Sequence, residues 1–177
     1  MGDIDLDGDV DLYVTNSEHG VNRLYLNDGH GVFTDATPPE LRFADISTVG
    51  TALADLDDDG DLDLVVRCRY AEDKLFRNTT DTGDWLKVRV VGDGANTFGI
   101  GARVRVFDAG RLGDPDALRG QREITASVGW CSAPPPEAHL GVPGDGSYDV
   151  EVMLPGGGVA TVEGVAAGQV LTVRAGD

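Results

Sequence analysis

Two short acidic loops with nearly the same sequence constrain what this chain can fold into. They hold eleven of its 31 acidic residues. The first loop is residues 3–11 (DIDLDGDVD) and the second is residues 55–63 (DLDDDGDLD). Each has Asp at positions 1, 3, 5, 7 and 9 and Gly at position 6, and a strand-like segment follows directly. Like charges this close repel by about 1 kcal/mol per pair in water and about 4 kcal/mol near a protein surface. A cation is therefore expected among them.

The carboxylate spacing matches the ligand chemistry of calcium, which takes 6–8 oxygen ligands. Magnesium keeps its waters, and transition metals prefer His or Cys, which neither loop contains. Gly8 and Gly60 would form the sharp bend, because glycine adopts positive φ without penalty. The sequence predicts two calcium ions. The predicted side-chain ligands are Asp3, Asp5, Asp7 and Asp11 in the first loop and Asp55, Asp57, Asp59 and Asp63 in the second, with backbone carbonyls from Asp9 and Asp61.

The loops do not fit the EF-hand pattern. An EF-hand needs Glu at position 12 and helices on both sides, whereas position 12 is Val14 in one loop and Val66 in the other. The segments that follow are rich in β-branched and aromatic residues, which favour strands. The loops are therefore interpreted as calcium loops between strands. The alternative, a solvated acidic turn with no ion, is disfavoured because the same glycine recurs in both copies.

Charge and composition exclude several classes of partner. The net charge of −17 argues against binding to nucleic acid or to an anionic membrane surface. No segment approaches the ~20 apolar residues of a membrane helix. The 25 glycines suit a turn-rich β protein. The sequence has no signal peptide and begins almost inside the first loop. We therefore expect a C-terminal fragment of a longer protein that is secreted or on the cell surface, with its signal sequence upstream.

The first part of the chain contains an internal repeat. The second loop begins 52 residues after the first (Asp3 to Asp55), and the similar segments 22–27 and 73–78 follow. Segment 31–35 adds a further strand in the first copy, and segment 49–56 adds one before the second loop. The combined unit has four antiparallel strands in about 50 residues, which is the size of a β-propeller blade.

These motifs resemble FG-GAP (VCBS-type) repeats, the blades of integrin-α-like propellers. The resemblance covers about residues 1–80 and is carried by the Asp-rich loops, by Asn22-Arg23-Leu24-Tyr25 and by Gly31-Val32-Phe33-Thr34-Asp35. It implies that the first copy lacks its opening strand and the second its closing strand.

The pattern changes beyond residue 84. Apolar residues alternate with polar ones over segments 86–91, 103–106 and 148–154, which indicates half-buried antiparallel strands. Two more strands are predicted over 159–165 and 170–173. Segment 155–158 (PGGG) is a candidate hairpin turn, and no helix is predicted.

This second part resembles an ASPIC/UnbV domain, which typically follows FG-GAP repeats at a C-terminus, as in the cartilage acidic protein family. The resemblance is carried by Trp85-Leu86-Lys87-Val88-Arg89, Gly99-Ile100-Gly101-Ala102-Arg103-Val104 and His139-Leu140-Gly141. The sequence departs from the family at residues 129–132 (GWCS) and at Leu154-Pro155, where the family favours Trp-Pro. These departures leave the fold prediction intact but blur any inherited function.

The predicted fold class is all-β. Residues 1–80 form two calcium-binding repeats, a partial β-propeller of about one and a half blades, and residues 84–175 form a C-terminal antiparallel β-sandwich-like domain. The polar segment 79–84 separates them.

The sequence offers only weak catalytic candidates. Cys131 and His139 could form a thiolate–imidazolium pair, but no third orienting group is identifiable, and a packed Cys beside a hydrogen-bonded turn His is favoured. Gly99-Ile100-Gly101 lacks the third glycine and the following helix of a phosphate-binding loop, so a bend or bulge in a strand is preferred. His19 and His30 are expected to be solvent-exposed. The chain is therefore predicted not to be an enzyme.

Four further side chains have two open interpretations each. Cys68 and Cys131 form either one disulfide or two small buried hydrophobic residues. Trp85 and Trp130 form either a ligand-binding surface or packing residues, and packing is favoured.

The sequence thus favours a non-catalytic, calcium-binding extracellular or cell-surface module for adhesion or protein interaction, with a protein, matrix or glycan partner. One alternative is the tail of a secreted enzyme, with a hydrolase or lyase site formed by upstream blades or by the region from Trp130 to His139. The other is a carbohydrate-binding accessory domain that uses Trp130 and the Pro-rich loop at 134–136.

Overall fold

The chain is all-β, as predicted. The computed structural model describes residues 1–17, 20–43, 46–80, 84–92, 94–144 and 146–176. The strands are β1 (Leu12–Val14), β2 (Arg23–Asn27), β3 (Phe33–Asp35), β4 (Thr48–Ala54), β5 (Asp63–Cys68), β6 (Lys74–Phe76), β7 (Asp84–Val91), β8 (Arg103–Asp108), β9 (Leu118–Glu123), β10 (Ala138–Val142), β11 (Ser147–Leu154), β12 (Gly158–Ala166) and β13 (Gln169–Arg174). Two three-residue 3-10 turns, Pro39–Leu41 and Pro115–Ala117, are the helical elements of the described residues.

The strands fall into two compact units. Unit 1 comprises Met1–Asp5, Asp9–Asp81 and Ser127–Pro134, and unit 2 comprises Leu6–Gly8, Thr82–Ala126 and Pro135–Asp177. Unit 1 therefore contains the whole second acidic loop and most of the first. It also contains a segment, Ser127–Pro134, that the sequence predicted to belong to the C-terminal domain.

Unit 1 has two antiparallel three-stranded sheets, in the orders β1-β2-β3 and β4-β5-β6. Each sheet comes from one copy of the repeat and has three of the four strands of a blade. Where the opening strand of the first copy would run, a single bridge pairs Gly2 with Asp11. The same place in the second copy is filled by β4, whose Ala54 pairs with Asp63 of β5. The predicted partial blades are thus present in the structure.

The core of unit 1 is formed by both copies of the repeat. The buried residues include Tyr13 of the first copy and Leu53, Leu64 and Val66 of the second. Each fully buried aliphatic side chain contributes about 1.5–3 kcal/mol to stability. Because one cluster contains residues from both copies, the two sheets stabilise each other and do not fold as independent blades.

Unit 2 has two sheets, in the orders β10-β7-β13 and β12-β11-β8-β9. The apolar positions that predicted β7 are buried, namely Leu86, Val88 and Val90, but Lys87 between them is buried as well, so the predicted alternation is broken at that residue. The three apolar residues belong to one core with Val104 of β8 and Val150 of β11, so the two sheets enclose a shared apolar layer as in a sandwich. The predicted hairpin turn at 155–158 connects β11 to β12.

One pairing in unit 2 differs from the predicted antiparallel pattern. Strand β13 runs parallel to β7, with Gln169 opposite Leu86 and Arg174 opposite Val91. The reason is that β12 and β13 lie in different sheets, so the turn between them changes sheet and does not close a hairpin. Gly168 makes this turn with a φ of 70° and donates a hydrogen bond to the Trp85 carbonyl at 2.7 Å.

Candidate metal centres

The two acidic loops share a backbone conformation. Gly8 and Gly60, at loop position 6, have φ values of 100° and 101°, the positive φ that the sequence predicted for the bend. Leu6 and Asp58, at loop position 4, have φ values of 60° and 61°. Sequence reasoning missed position 4, because non-glycine residues adopt this left-handed region infrequently. The matching pairs of angles indicate that both loops wind in the same way.

The last Asp of each loop accepts hydrogen bonds both from its own loop and from an asparagine further along the chain. Asp11 accepts hydrogen bonds from the backbone N–H of Ile4 at 2.8 Å and of Asn27 at 2.9 Å. We call this arrangement the aspartate clamp: one carboxylate joins loop position 2 to the end of β2. Asp11 is fully buried. The Asp11 carboxylate thus satisfies the part-buried N–H groups of both Ile4 and Asn27.

The second loop has the same aspartate clamp. Asp63 accepts hydrogen bonds from the N–H of Leu56 at 3.1 Å and of Asn78 at 2.9 Å. Asn78 corresponds in the repeat to Asn27. The sequence predicted Asp11 and Asp63 as metal ligands only. It gave no sign that these carboxylates also accept hydrogen bonds from Asn27 and Asn78.

Three carboxylates converge in the first loop. Asp3, Asp5 and Asp11 each place a carboxylate oxygen within 4.8 Å of the others. Asp3 and Asp11 are fully buried, and Asp5 is half-buried. Placing several carboxylates together away from water is costly unless a positive charge compensates them. Three hard oxygen donors from one turn form a set that suits calcium.

The second loop brings together a different trio. Asp55, Asp57 and Asp59 have carboxylate oxygens within 4.8 Å of one another, and Asp57 and Asp59 are exposed. Asp55 accepts a hydrogen bond from the N–H of Gly60 at 2.8 Å, and Asp59 accepts one from Asp61 at 3.1 Å. These bonds shape the loop around its acidic side chains.

The remaining predicted ligands lie outside these two trios. Position 9 of the loop belongs to the first trio as Asp11 but not to the second, whose position 9 is Asp63. Position 5 belongs to the second trio as Asp59 but not to the first, whose position 5 is Asp7. Asp7 lies in the segment Leu6–Gly8, which is part of unit 2. Asp9 and Asp61 were predicted to act through their carbonyl oxygens. The complete set of ten residues stays a prediction.

A buried polar network lies close to the first loop. Asn22, fully buried, donates to the Tyr13 hydroxyl at 3.1 Å and accepts from the Thr48 hydroxyl at 2.9 Å and from the Asn16 N–H at 3.0 Å. Tyr13 in turn donates to the Leu41 carbonyl at 3.2 Å. Burial raises the pKa of Tyr13, and the bond from Asn22 opposes this. The network joins the first copy to the first strand of the second.

The two catalytic candidates of the sequence belong to different units. Cys131 is exposed and lies in a segment of unit 1, whereas His139 lies in β10 of unit 2. His30 is exposed, as predicted, and its Nδ1 lies 2.8 Å from the Asp28 carbonyl oxygen. His19 lies outside the described residues. Gly99 and Gly101 lie in the turn that precedes β8 and not within a strand.

The cysteines do not form a disulfide. Cys68 is buried in the core of unit 1, as one interpretation required, and its burial raises the pKa of the thiol. Cys131 is exposed, so the prediction of two buried hydrophobic cysteines was wrong for this residue.

The preferred prediction that Trp130 packs against the sheet was wrong. Its side chain is 83% exposed. The reason is local: Gly129 and Ser132 form a bridge, and Trp130 and Cys131 are the two residues of the turn between them. Cys131 has a φ of 51°, a left-handed conformation common in such tight turns. Trp85, by contrast, is half-buried, and the Lys87 ammonium lies 4.8 Å from its ring centre.

Comparison with known families gives two matches. Residues 3–66 match the FG-GAP-like repeat, and residues 92–177 match the ASPIC and UnbV domain. Both predicted resemblances are thereby confirmed, while the likeness to the cartilage acidic protein family stays a prediction. A search of curated proteins finds no match. Within the described residues, no helix has the length and apolar character needed to cross a membrane.

Proposed function

We propose that the chain is a non-catalytic, calcium-binding module of the extracellular space or cell surface that binds a protein or matrix partner; the matches of residues 3–66 to the FG-GAP-like repeat and of residues 92–177 to the ASPIC and UnbV domain support this proposal. The combination of these two domains is typical of extracellular-type protein-interaction modules. The observation that supports calcium most strongly is the buried trio of Asp3, Asp5 and Asp11 in a loop whose conformation recurs in the second copy.

Calcium would be held in the first loop by Asp3, Asp5 and Asp11, and in the second by Asp55, Asp57 and Asp59. When bound, the ion supplies positive charge that removes the repulsion among these carboxylates. The protein supplies the geometry. The aspartate clamp connects the first loop to the end of β2 and the second loop to Asn78, two residues after β6, so an ordered loop also holds these segments in place. Ordered loops of this kind present a defined surface to a partner.

The proposed affinity is weak. Calcium sites of extracellular modules have dissociation constants of about 10⁻⁴–10⁻³ M, which suits an environment rich in calcium. The second loop, with Asp57 and Asp59 exposed, fits this range.

Thermal unfolding tests the proposal. We expect millimolar calcium to stabilise the chain by about 1–3 kcal/mol relative to chelator, because the ion binds the folded state only. Magnesium should stabilise less, since it requires a stricter geometry. The double variant Asp5→Ala/Asp57→Ala removes the position-3 ligand from both trios and leaves both aspartate clamps in place. It should lose most of the calcium response.

A matched control is Asp73→Asn, which removes one exposed carboxylate outside the loops and should keep the full response. An identical melting temperature in calcium and in chelator would refute the calcium proposal.

A second candidate function rests on Trp130. A tryptophan that is 83% exposed on a tight turn, close to prolines 134–136, presents a flat apolar ring to solvent. Such a ring can stack on a sugar or pack into a pocket of a protein partner. Binding on a glycan array that disappears in Trp130→Ala would support a carbohydrate-binding role. An array without signal in the presence of calcium would contradict the carbohydrate-binding role, and protein interaction would be the remaining proposal.

A further inference from the structure

A guanidinium group lies against the second acidic loop. Arg77, the residue after β6, contacts the Asp57 carboxylate and donates a hydrogen bond to Asp59 Oδ2 at 3.3 Å. Both aspartates belong to the carboxylate trio that would hold calcium. The Arg77 guanidinium therefore pairs with two of the carboxylates that would bind calcium.

The backbone on both sides of Arg77 is fixed. Phe76 packs against Phe43, with 5.7 Å between the ring centres. Asn78 donates its N–H to Asp63 in the aspartate clamp of the second loop. Because both neighbours are held, the Arg77 side chain starts from a defined point beside the loop. Its contact with the aspartates follows from the fold and is not a chance encounter of a long side chain.

The first copy of the repeat has no arginine at this position. Alignment of the segments 22–27 and 73–78 places Leu26 opposite Arg77, directly before Asn27 and Asn78 respectively. The two copies share the loop, the glycine bend and the aspartate clamp, but the second copy has a cationic side chain where the first has leucine. The difference concerns a residue that touches proposed ligands, so it should change how the second loop binds a cation.

We propose that Arg77 is a built-in counter-ion that competes with calcium for Asp57 and Asp59, so that the second loop fills only at high calcium concentration. This inference rests on the proposed function. The Arg77 side chain is 61% exposed, and those of Asp57 and Asp59 are 27% and 39% exposed. Ion pairs this exposed to water are weak and exchange readily. Arg77 therefore lowers the affinity of the loop without blocking it, and it swings into solvent when the ion binds.

Nuclear magnetic resonance of the full chain tests this proposal, because the amides of Gly8 and Gly60 report on the two loops separately. Calcium is titrated into the wild-type chain, Arg77→Leu and Arg77→Lys. We expect Arg77→Leu to lower the calcium concentration at the midpoint of the Gly60 shift by about threefold to tenfold, because two exposed ion pairs are lost. The midpoint at Gly8 should not change. Arg77→Lys keeps the charge and should stay closer to the wild type.

The matched control is Arg67→Leu. Arg67 is an exposed arginine of the same unit that pairs with Asp73, outside the loop, at 3.0 Å. The Arg67→Leu substitution changes the net charge by the same amount as Arg77→Leu and should leave the calcium midpoint at Gly60 unchanged.

Each result has a distinct meaning. Equal Gly60 transitions in the wild type and in Arg77→Leu would overturn the role of Arg77 and leave calcium binding intact. Equal tightening by Arg67→Leu would also overturn it, since the effect would then come from net charge. The absence of any calcium-dependent shift at Gly8 and Gly60 in all variants would overturn the proposed function itself.

Discussion

The Asn22→Ala variant is expected to lose about 2–4 kcal/mol of the free energy of unfolding, because a fully buried amide that satisfies three other polar groups is removed. Asn22 bonds to Tyr13, Asn16 and Thr48. Its loss leaves these partners without part of their hydrogen bonding in a site with no access to water. Urea denaturation, followed by the fluorescence of the two tryptophans and by circular dichroism, measures the change.

The matched control is Asp73→Ala, at the equivalent position of the second copy. Asp73 accepts a hydrogen bond from the Cys68 N–H at 3.0 Å, just as Asn22 accepts one from Asn16, but its side chain is 47% exposed. Water can replace the lost bond, so we expect a change below about 1 kcal/mol. A double-mutant cycle with Thr48→Val should show coupling between Asn22 and Thr48. Equal, small losses for Asn22→Ala and Asp73→Ala would contradict the role of the network.

The Asp11→Ala variant is the second large effect. It removes the aspartate clamp of the first loop and leaves the N–H groups of Ile4 and Asn27 without their acceptor, at an expected cost of about 2–5 kcal/mol. Because the clamp consists of hydrogen bonds within the protein, most of this loss should persist in chelator. Denaturation in calcium and in chelator separates the structural part from the metal-dependent part.

Asp11→Asn is the conservative comparison. Asparagine keeps one acceptor oxygen, so it should retain one of the two bonds and lose about half as much stability. Asp63→Ala removes the equivalent clamp of the second loop and should resemble Asp11→Ala, because Asp63 is also buried. If Asp11→Ala were neutral in chelator, Asp11 would serve as a metal ligand and not as a clamp.

The features that could be predicted from the sequence are those that local patterns determine. The glycine at loop position 6 requires a positive φ wherever it occurs, and Gly8 and Gly60 have it. Alternation of apolar residues identified β7, β8 and β11 because one face of each strand packs into a core. The repeat was visible because both copies need the same residues at the same places.

The features that were missed depend on residues distant in sequence. Asn22 becomes a buried centre only when Thr48, 26 residues later, packs against it. The parallel register of β13 with β7 follows from a change of sheet that no local pattern encodes. Trp130 was expected to pack against the sheet, but the two-residue turn at 130–131 exposes it. The charge of Arg77 was visible in the sequence, whereas its contact with Asp57 was not.

The most direct test of the account is calorimetric titration of calcium into the metal-free chain. We expect saturable binding of two ions per chain, with dissociation constants of about 10⁻⁴–10⁻³ M and the weaker ion bound in the second loop. The variant Asp5→Ala/Asp57→Ala should give no measurable binding in the same range. A wild-type titration without heat at several temperatures, together with amide spectra that calcium leaves unchanged, would contradict the central claim that these loops are calcium sites.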